Sequence, residues 1–445
     1  MLALLAFAMV FVFMAMIMTK RLSALAALIL VPAAFGVIAG HAAGLGPMML
    51  EGVKDLAPTG IMLLFAILYF GIMIDAGLFD PLVARIVRIV GDDPVKILVG
   101  TAALALIVSI DGDGATTYMI TAAAMAPLYR SLRLDMRKMA CVIIMAAAVT
   151  NLLPWGGPTA RAASALKLDP AVVFTPLIPA MAACAAWVLF TAYVFGRQEK
   201  ARLARLGAEE TVLADADTVE EATAAILEAD RTRDPSTLRP RLVWVNFALT
   251  AALMAALVMG LMPLPILFIL AFAAALMINY PALGEQRRRI AANAGNAVAV
   301  VSLIFAAGCF MGVLSGTGMG EAMANAVSGA IPPQLGPFMA PITALVSMPF
   351  TFLISNDAFY FGVLPTLAQA AATYGVPVEA VARASLVGQQ IHLLSPLVAS
   401  TYLLVGLSGI ELGEHQRFTF PWALAACAVM LVAAMATGAF PLMAG

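Results

Sequence analysis

Charge is scarce in this chain: 445 residues hold only 25 Lys and Arg against 26 Asp and Glu, while 63% are hydrophobic and mean hydropathy is +0.98. Such a composition falls outside the soluble globular range, and the central charged segment, basic at its ends and acidic in its middle, gives no reason to expect a nucleic-acid partner. Cysteine is also sparse. Cys141, Cys184, Cys309 and Cys427 stand apart in apolar segments without C-x-x-C spacing, which suits core packing. The three histidines, His41, His392 and His415, form no clustered ligand set, and no Ser/His/Asp or Cys/His arrangement suggests an enzyme. A Walker motif is missing, so any transport would run on gradients. GTGMG at Gly316–Gly320 has no strand before it and reads as no nucleotide loop. The first apolar run lacks a basic leader and an A-x-A site, so it reads as a retained helix.

What the chain has instead is long apolar runs. Leu2–Met18, Leu22–Ile38, Leu56–Ile74 and Leu242–Leu261 are each long enough for about 30 Å of hydrocarbon, the mark of an all-α polytopic membrane protein. Basic loops stay on the cytoplasmic side of the plasma membrane. Lys20 and Arg21 put the first connection inside, Gly40–Asp55 then falls outside, and Arg85, Arg88 and Lys96 return inside. The next apolar stretch, 97–128, runs to Arg130, Arg133, Arg137 and Lys138, again inside, so it does not cross. It reads as a re-entrant hairpin with DGDGATT at its tip, where irregular backbone lines a cavity. The chain crosses at Met139–Ala165, returns at Val172–Phe195 and enters a charged cytoplasmic linker, 196–241.

The second half runs the other way up. Two spans lead to Arg287–Arg289, residues 291–315 exit to Gly316–Gly336, and a second hairpin, 337–373, opens outside with SNDAFYF at its tip. The segment from Ala380 crosses inward past Ser395 and Pro396, and Phe418–Phe440 brings both termini to the outside. FAILYFGIMIDAGL (Phe65–Leu78) aligns with one gap against FAAGCFMGVLSGTGM (Phe305–Met319), and a polar tip and a Pro-interrupted helix follow each. Two inverted repeats result, 1–195 and 242–445, of five spans and one hairpin each. Paired broken helices in inverted repeats are the pattern of secondary transporters, which bind cargo at the breaks.

Four pieces make the candidate site. The first tip offers Asp111, Gly112, Asp113, Gly114, Thr116 and Thr117; the first broken helix, NLLPWGGPTARAAS, offers Asn151, Gly156, Gly157, Thr159 and Arg161. The second tip offers Ser355, Asn356 and Asp357; the second broken helix, HLLSPLVASTY, offers His392, Ser395, Ser400 and Thr401. Half-helix N-termini from Gly114, Pro158 and Pro396 onward would present N–H groups to carboxylate oxygens. Asp111, Asp113, Asn356 and Asp357 form a hard-oxygen set for Mg2+, Ca2+, Na+ or protons. Two readings stand for Arg161, pairing a substrate carboxylate or neutralising an aspartate, and two for His392, a proton carrier or a hydrogen-bonded structural residue. Asp75 reads as a cap or an interface residue. DGDG lacks the third ligand and closing Glu of a calcium-binding EF-hand loop.

SIDGDGATTYMI, NLLPWGGPTARAAS, FLISNDAFYFGVLP and SPLVASTYLLVGLSGIELGEHQRF together resemble the citrate–divalent metal ion:proton symporters of the ion transporter superfamily, nearly end to end. The resemblance implies uptake of a citrate–metal complex with protons by an elevator-type homodimer, in which a scaffold holds a moving transport domain. The divalent metal, Mg2+ or Ca2+, is then a co-substrate and no cofactor is permanently bound. On the residues' own chemistry, the hydroxyls and N–H groups of Thr116, Thr117, Thr159, Ser400 and Thr401 suit the organic anion. The aspartates and Asn356 suit the metal, with Asp113, Asp357 and His392 as proton carriers. A sodium-coupled di- or tricarboxylate carrier and an inorganic-ion exporter or channel are the rival readings.

Overall fold

A computed structural model describes residues 2–19, 21–112, 114–206, 235–330, 332 and 334–443, and all regular structure among them is helical. Asp113 and most of the charged linker lie outside the described residues. The first half runs α1 (Leu2–Met18), α2 (Ala24–Ile38), α3 (Leu45–Asp75), α4 (Asp80–Val90), α5 (Pro94–Val108), α6 (Gly114–Ser131), α7 (Met136–Thr150), α8 (Gly157–Ala165), α9 (Pro170–Phe174) and α10 (Ile178–Leu206). The second runs α11 (Val243–Val258), α12 (Leu264–Asn279), α13 (Leu283–Gly316), α14 (Met319–Ala330), α15 (Met339–Leu353), α16 (Leu364–Ala372), α17 (Val378–Ser385), α18 (Gln389–His392), α19 (Ala399–Ser408) and α20 (Leu412–Ala436). Among the described residues seven helical stretches are long and apolar enough to cross a membrane.

Helix starts follow local chemistry. Asp93 and Asp169 each precede a proline, and their carboxylates accept the N–H groups of Val95 and Ala171. Aspartate as cap with proline at the first helical position meets two needs of a helix N-terminus at once. Asp135 caps α7 in the same way through Arg137 N. The third span begins earlier than Leu56: α3 starts at Leu45 and takes in Glu51, Lys54 and Asp55. Pro47 causes no break because it lies in the first turn, where its missing N–H is not needed. Gly316–Gly336, on the sequence a bare outer stretch, contains α14.

Two bundles result. In one, α3 and α13 lie side by side with α2 and α12 flanking them. Gly308, Gly312 and Gly316 recur every four residues along α13. A Cβ at Gly312 would lie 2.1 Å from the Met48 carbonyl oxygen, and one at Gly52 would lie 2.0 Å from that of Gly308. Backbones in direct contact without side chains are how membrane helices pack when no water is there to drive them together. α3 and α13 also end alike, with Gly77 at φ 82° and Gly318 at φ 72°, the left-handed region where glycine is at ease.

The other bundle centres on α7, buried on every face from Lys138 to Thr150 and surrounded by α5, α6, α10, α19 and α20. Lys138 can be buried because its Nζ lies 2.7 Å from Glu199 Oε1 and over the Phe195 ring. The bundles meet at several places. Trp155 stacks against Phe70 and Phe268, α1 lies beside the turn Ala358–Val363, and Lys167 Nζ pairs with Asp55 Oδ2 at 2.6 Å.

Gly312→Leu should push α3 and α13 apart and cost on the order of 1–3 kcal/mol or more by overpacking. Thermal unfolding in detergent checks this. Gly413→Ala, at a site with nothing within 4 Å of a Cβ, should melt at or slightly above the wild-type temperature.

Candidate functional site

The first tip is a deliberate stop between two helices. α5 tightens into a 3-10 turn, Ser109–Asp111, Gly112 takes φ 79°, and α6 starts at Gly114. Beside it the ladder of α7 stops at Thr150, and six residues, Asn151 to Gly156, intervene before α8. Free backbone carbonyls in such a place must find donors. Thr159 Oγ1 donates to Leu152 O at 2.7 Å, and Trp155 Nε1 donates to Ile110 O at 2.9 Å, tying break to tip. Thr150 donates to the Ser109 hydroxyl, a second tie.

The second tip and break repeat this layout. α15 ends in extended backbone at Ile354, Ser355 Oγ accepts Ala358 N, and a π-helical turn, Ala358–Val363, leads into α16. π-Helical turns concentrate at functional sites. The break after α18 spans Leu393–Val398. Thr401 Oγ1 donates to Leu393 O, and Ser395 Oγ donates to Phe352 O at 2.7 Å, again tying break to tip. Asn356 and Gln389 exchange amide hydrogen bonds, and Gln389 Nε2 also reaches Tyr360 OH at 2.9 Å.

All four pieces then converge. A cavity of about 300 Å3 is lined by Gly112 from the first tip, Asn151, Gly157 and Arg161 from the first break, Ser355, Asn356 and Asp357 from the second tip, and His392 from the second break. Arg161 Nε and Asp357 Oδ1 pair across it at 2.6 Å. A smaller space of about 130 Å3 adjoins Gly112 and Asn151 and includes Gly114 and Ser400. A third, about 530 Å3, lies between the bundles, with Asp111, Thr116 and Arg161 on one wall and α3 and α13 residues such as Phe70 and Asn293 on the other.

Several expected residues are placed differently. Thr159, Thr401 and Ser395 are fully buried and donate to break or tip carbonyls, so their hydroxyls serve the backbone rather than the cavity. Thr117 is also fully buried and lines none of the three spaces. Gly156 is structural: a Cβ there would lie 1.9 Å from the Asn151 carbonyl oxygen. Pro396 lies inside the break, and the half-helix starts at Ala399. His392 Nδ1 lies 2.6 Å from Thr351 O; a carbonyl only accepts, so Nδ1 carries a proton while the ring still lines the cavity. Asp75 sits at the interface of α3 and α13, the second of its two readings, where Arg289 and Asn293 of α13 donate to it. Asp113 lies outside the described residues. The sequence reading overlooked Trp155 and Gln389, although an indole and a Gln-Gln pair inside apolar segments are signals of buried hydrogen bonding.

Breaks that face one another across a polar cavity within a bundle of apolar helices define a multi-pass membrane transporter. The fold is that of the YdaH transporter of Alcanivorax borkumensis (TM-score 0.55, 16% identity, covering 91% of this chain and 90% of that one). MtrF of Neisseria gonorrhoeae is similar to the same degree (TM-score 0.56, 16% identity, covering 89% and 84%). Residues 4–388 match the model of the CitMHS citrate transporter family, and the chain belongs to that family. It is 55% identical over 438 residues to a "Citrate transporter" of Bacillus subtilis (strain 168), covering 98% of this chain and 99% of the relative. It is 47% identical over 440 residues to a "Mg(2+)/citrate complex secondary transporter" of the same organism, covering 99% of each. The family is one of transporters, not enzymes.

Thr159→Val and Thr401→Val keep side-chain shape and remove the donors to Leu152 O and Leu393 O. Each should lower unfolding stability by about 1–3 kcal/mol, the cost of a buried orphan carbonyl, in a thermal melt of the purified protein. Melting at the wild-type temperature would mean that the breaks are held by other bonds.

Proposed function

We propose that the chain imports citrate as a complex with one divalent metal ion, coupled to protons. The observation that carries this reading is the 300 Å3 cavity, which presents an arginine, the start of α8 and an aspartate to one small volume, with the starts of α6 and α19 on the smaller space that adjoins it. Citrate near neutral pH is largely a trianion; one divalent cation leaves it with a single negative charge and less to desolvate. A ligand of both signs suits a site of both signs. The names of the relatives, a citrate transporter and a Mg2+/citrate secondary transporter, support the same cargo.

In this reading Arg161 and the N–H groups from Gly157 and Ser400 hold carboxylate oxygens, while Asp357, with Asp111 and Asp113 at the first tip, supplies oxygen to the metal. Asn356 is held by Gln389 and shapes the tip. Asp113, Asp357 and His392 are the proton carriers. The two halves, 1–195 and 242–445, act as inverted repeats with hairpins 97–128 and 337–373, joined by the cytoplasmic linker 196–241, and both termini lie outside. The bundle of α3 and α13 acts as the scaffold of a homodimer, and the bundle of tips and breaks moves against it. The 530 Å3 space adjoins the ends of α3 and α13 that basic residues place in the cytoplasm, and it serves as the release route. On the outer side Asp55 and Lys167 hold the bundles together and would part when the site turns outward.

Labelled citrate should accumulate in proteoliposomes only with an inward proton gradient and a divalent metal, and adding a chelator should abolish uptake. Uptake driven by Na+ alone would replace this reading with a sodium-coupled carboxylate carrier. Non-saturable flux of inorganic ions would replace it with a channel.

A further inference from the structure

Arg161 and Asp357 come from opposite halves of the chain, 196 positions apart, and meet at 2.6 Å inside the candidate cavity. Their contact uses one guanidinium nitrogen and one carboxylate oxygen. A guanidinium offers five donors and a carboxylate can accept about four hydrogen bonds, so most of the capacity of both groups is left over. Among the described residues no other hydrogen bond or ion pair to either side chain is present. Their side chains are 20% and 15% exposed, reachable from the cavity yet largely withdrawn from water. A Cβ at Gly157 would lie 2.8 Å from Arg161 Nη1, so glycine leaves the room in which the guanidinium folds back over the first turn of α8. Two positive features, the helix start and the guanidinium, thus lie side by side on the wall of the cavity that Asp357 also lines.

We propose that this ion pair is a placeholder for the cargo, and that exchanging it is what makes the metal obligatory. The inference rests on the metal–citrate reading above. In the empty carrier each charge neutralises the other. An anion that takes Arg161 strips Asp357 of its partner, and a bare cation that takes Asp357 strips Arg161. Either leaves a largely buried charge uncompensated, which is the costly way to break such a pair. A complex with a free carboxylate on one side and a divalent cation on the other replaces both partners at once. Discrimination against free citrate and free metal then comes from what each would leave unpaired. After release the pair re-forms, and the empty site carries no net charge from these two residues.

Binding to the purified full-length protein in detergent tests this, read by calorimetry with citrate in chelator, Mg2+ alone, and citrate with Mg2+. Wild type should bind only the mixture. Asp357→Asn should bind metal-free citrate at least about tenfold tighter than wild type and lose most of its response to Mg2+. Arg161→Gln should gain binding of Mg2+ alone and lose citrate. Should a single variant fail to fold because one charge is left bare, the neutral double variant Arg161→Gln/Asp357→Asn replaces it, and it should bind none of the three ligands. Asp357→Asn that keeps the wild-type metal requirement, or a double variant that binds the mixture as wild type does, would overturn the placeholder role. Wild type that binds no citrate with any divalent metal would instead sink the cargo assignment, a separate failure.

Discussion

Every peptide N–H and C=O in hydrocarbon must be satisfied within the protein, and this chain interrupts its helices at four points deep in an apolar fold. The rest of the structure follows from how those interruptions are held. Each half uses the same solution, a threonine two residues into the new helix that donates back across the break, Thr159 to Leu152 and Thr401 to Leu393. Each half also ties its break to its tip through one side-chain donor, Trp155 to Ile110 and Ser395 to Phe352. With those carbonyls satisfied, the starts of α8 and α19 line the central cavity and the smaller space beside it. Rigid packing around α7 fixes where they point.

The breaks were legible in the sequence because the residues that make them are conspicuous in an apolar chain. DGDG, PWGGP, SND and SP each combine helix-breaking and polar residues, and the helix starts at Gly114 and Gly157 fall at or within one residue of where the glycines and prolines imply. Pro396 misleads by three residues because the Ser395 hydroxyl, held by the Phe352 carbonyl, extends the break. Hydroxyl direction was not legible. A threonine near a break looks the same in sequence whether it faces cargo or repairs the backbone, and Thr159 and Thr401 do the second. Partners far apart in sequence, such as Trp155 with Ile110 and Asn356 with Gln389, depend on how the pieces dock, which no local pattern records. The early start of α3 was missed for a different reason: Glu51, Lys54 and Asp55 look like loop residues, yet Glu51 and Lys54 lie on exposed faces of a helix and Asp55 meets Lys167.

Charge placement divides the molecule by role. Lys138, Glu199, Arg202, Arg137 and Glu414 gather at one end of the tip-bearing bundle, where ion pairs and the rings of Phe195 and Phe418 hold α7, α10 and α20 together. Arg289 with Asp75, and Arg239 with Glu285, do the same for the other bundle. Arg161 and Asp357 differ from both groups in facing a cavity and in having few other contacts. The structural charges join helices to one another, whereas the cavity pair keeps hydrogen-bonding capacity toward the cavity. In the transport cycle proposed above, the glycine contact of α3 and α13 would supply the stiff surface against which the other bundle moves.

Exchange of the Arg161–Asp357 pair for the cargo can be seen in a structure of the protein with citrate and Mn2+, the metal located by its anomalous signal. Such a structure should hold one metal peak in the 300 Å3 cavity next to Asp357, citrate between that metal and Arg161, and the Arg161–Asp357 contact opened. A metal bound away from both tips, or citrate seated in the space between the bundles with the ion pair intact, would contradict that exchange.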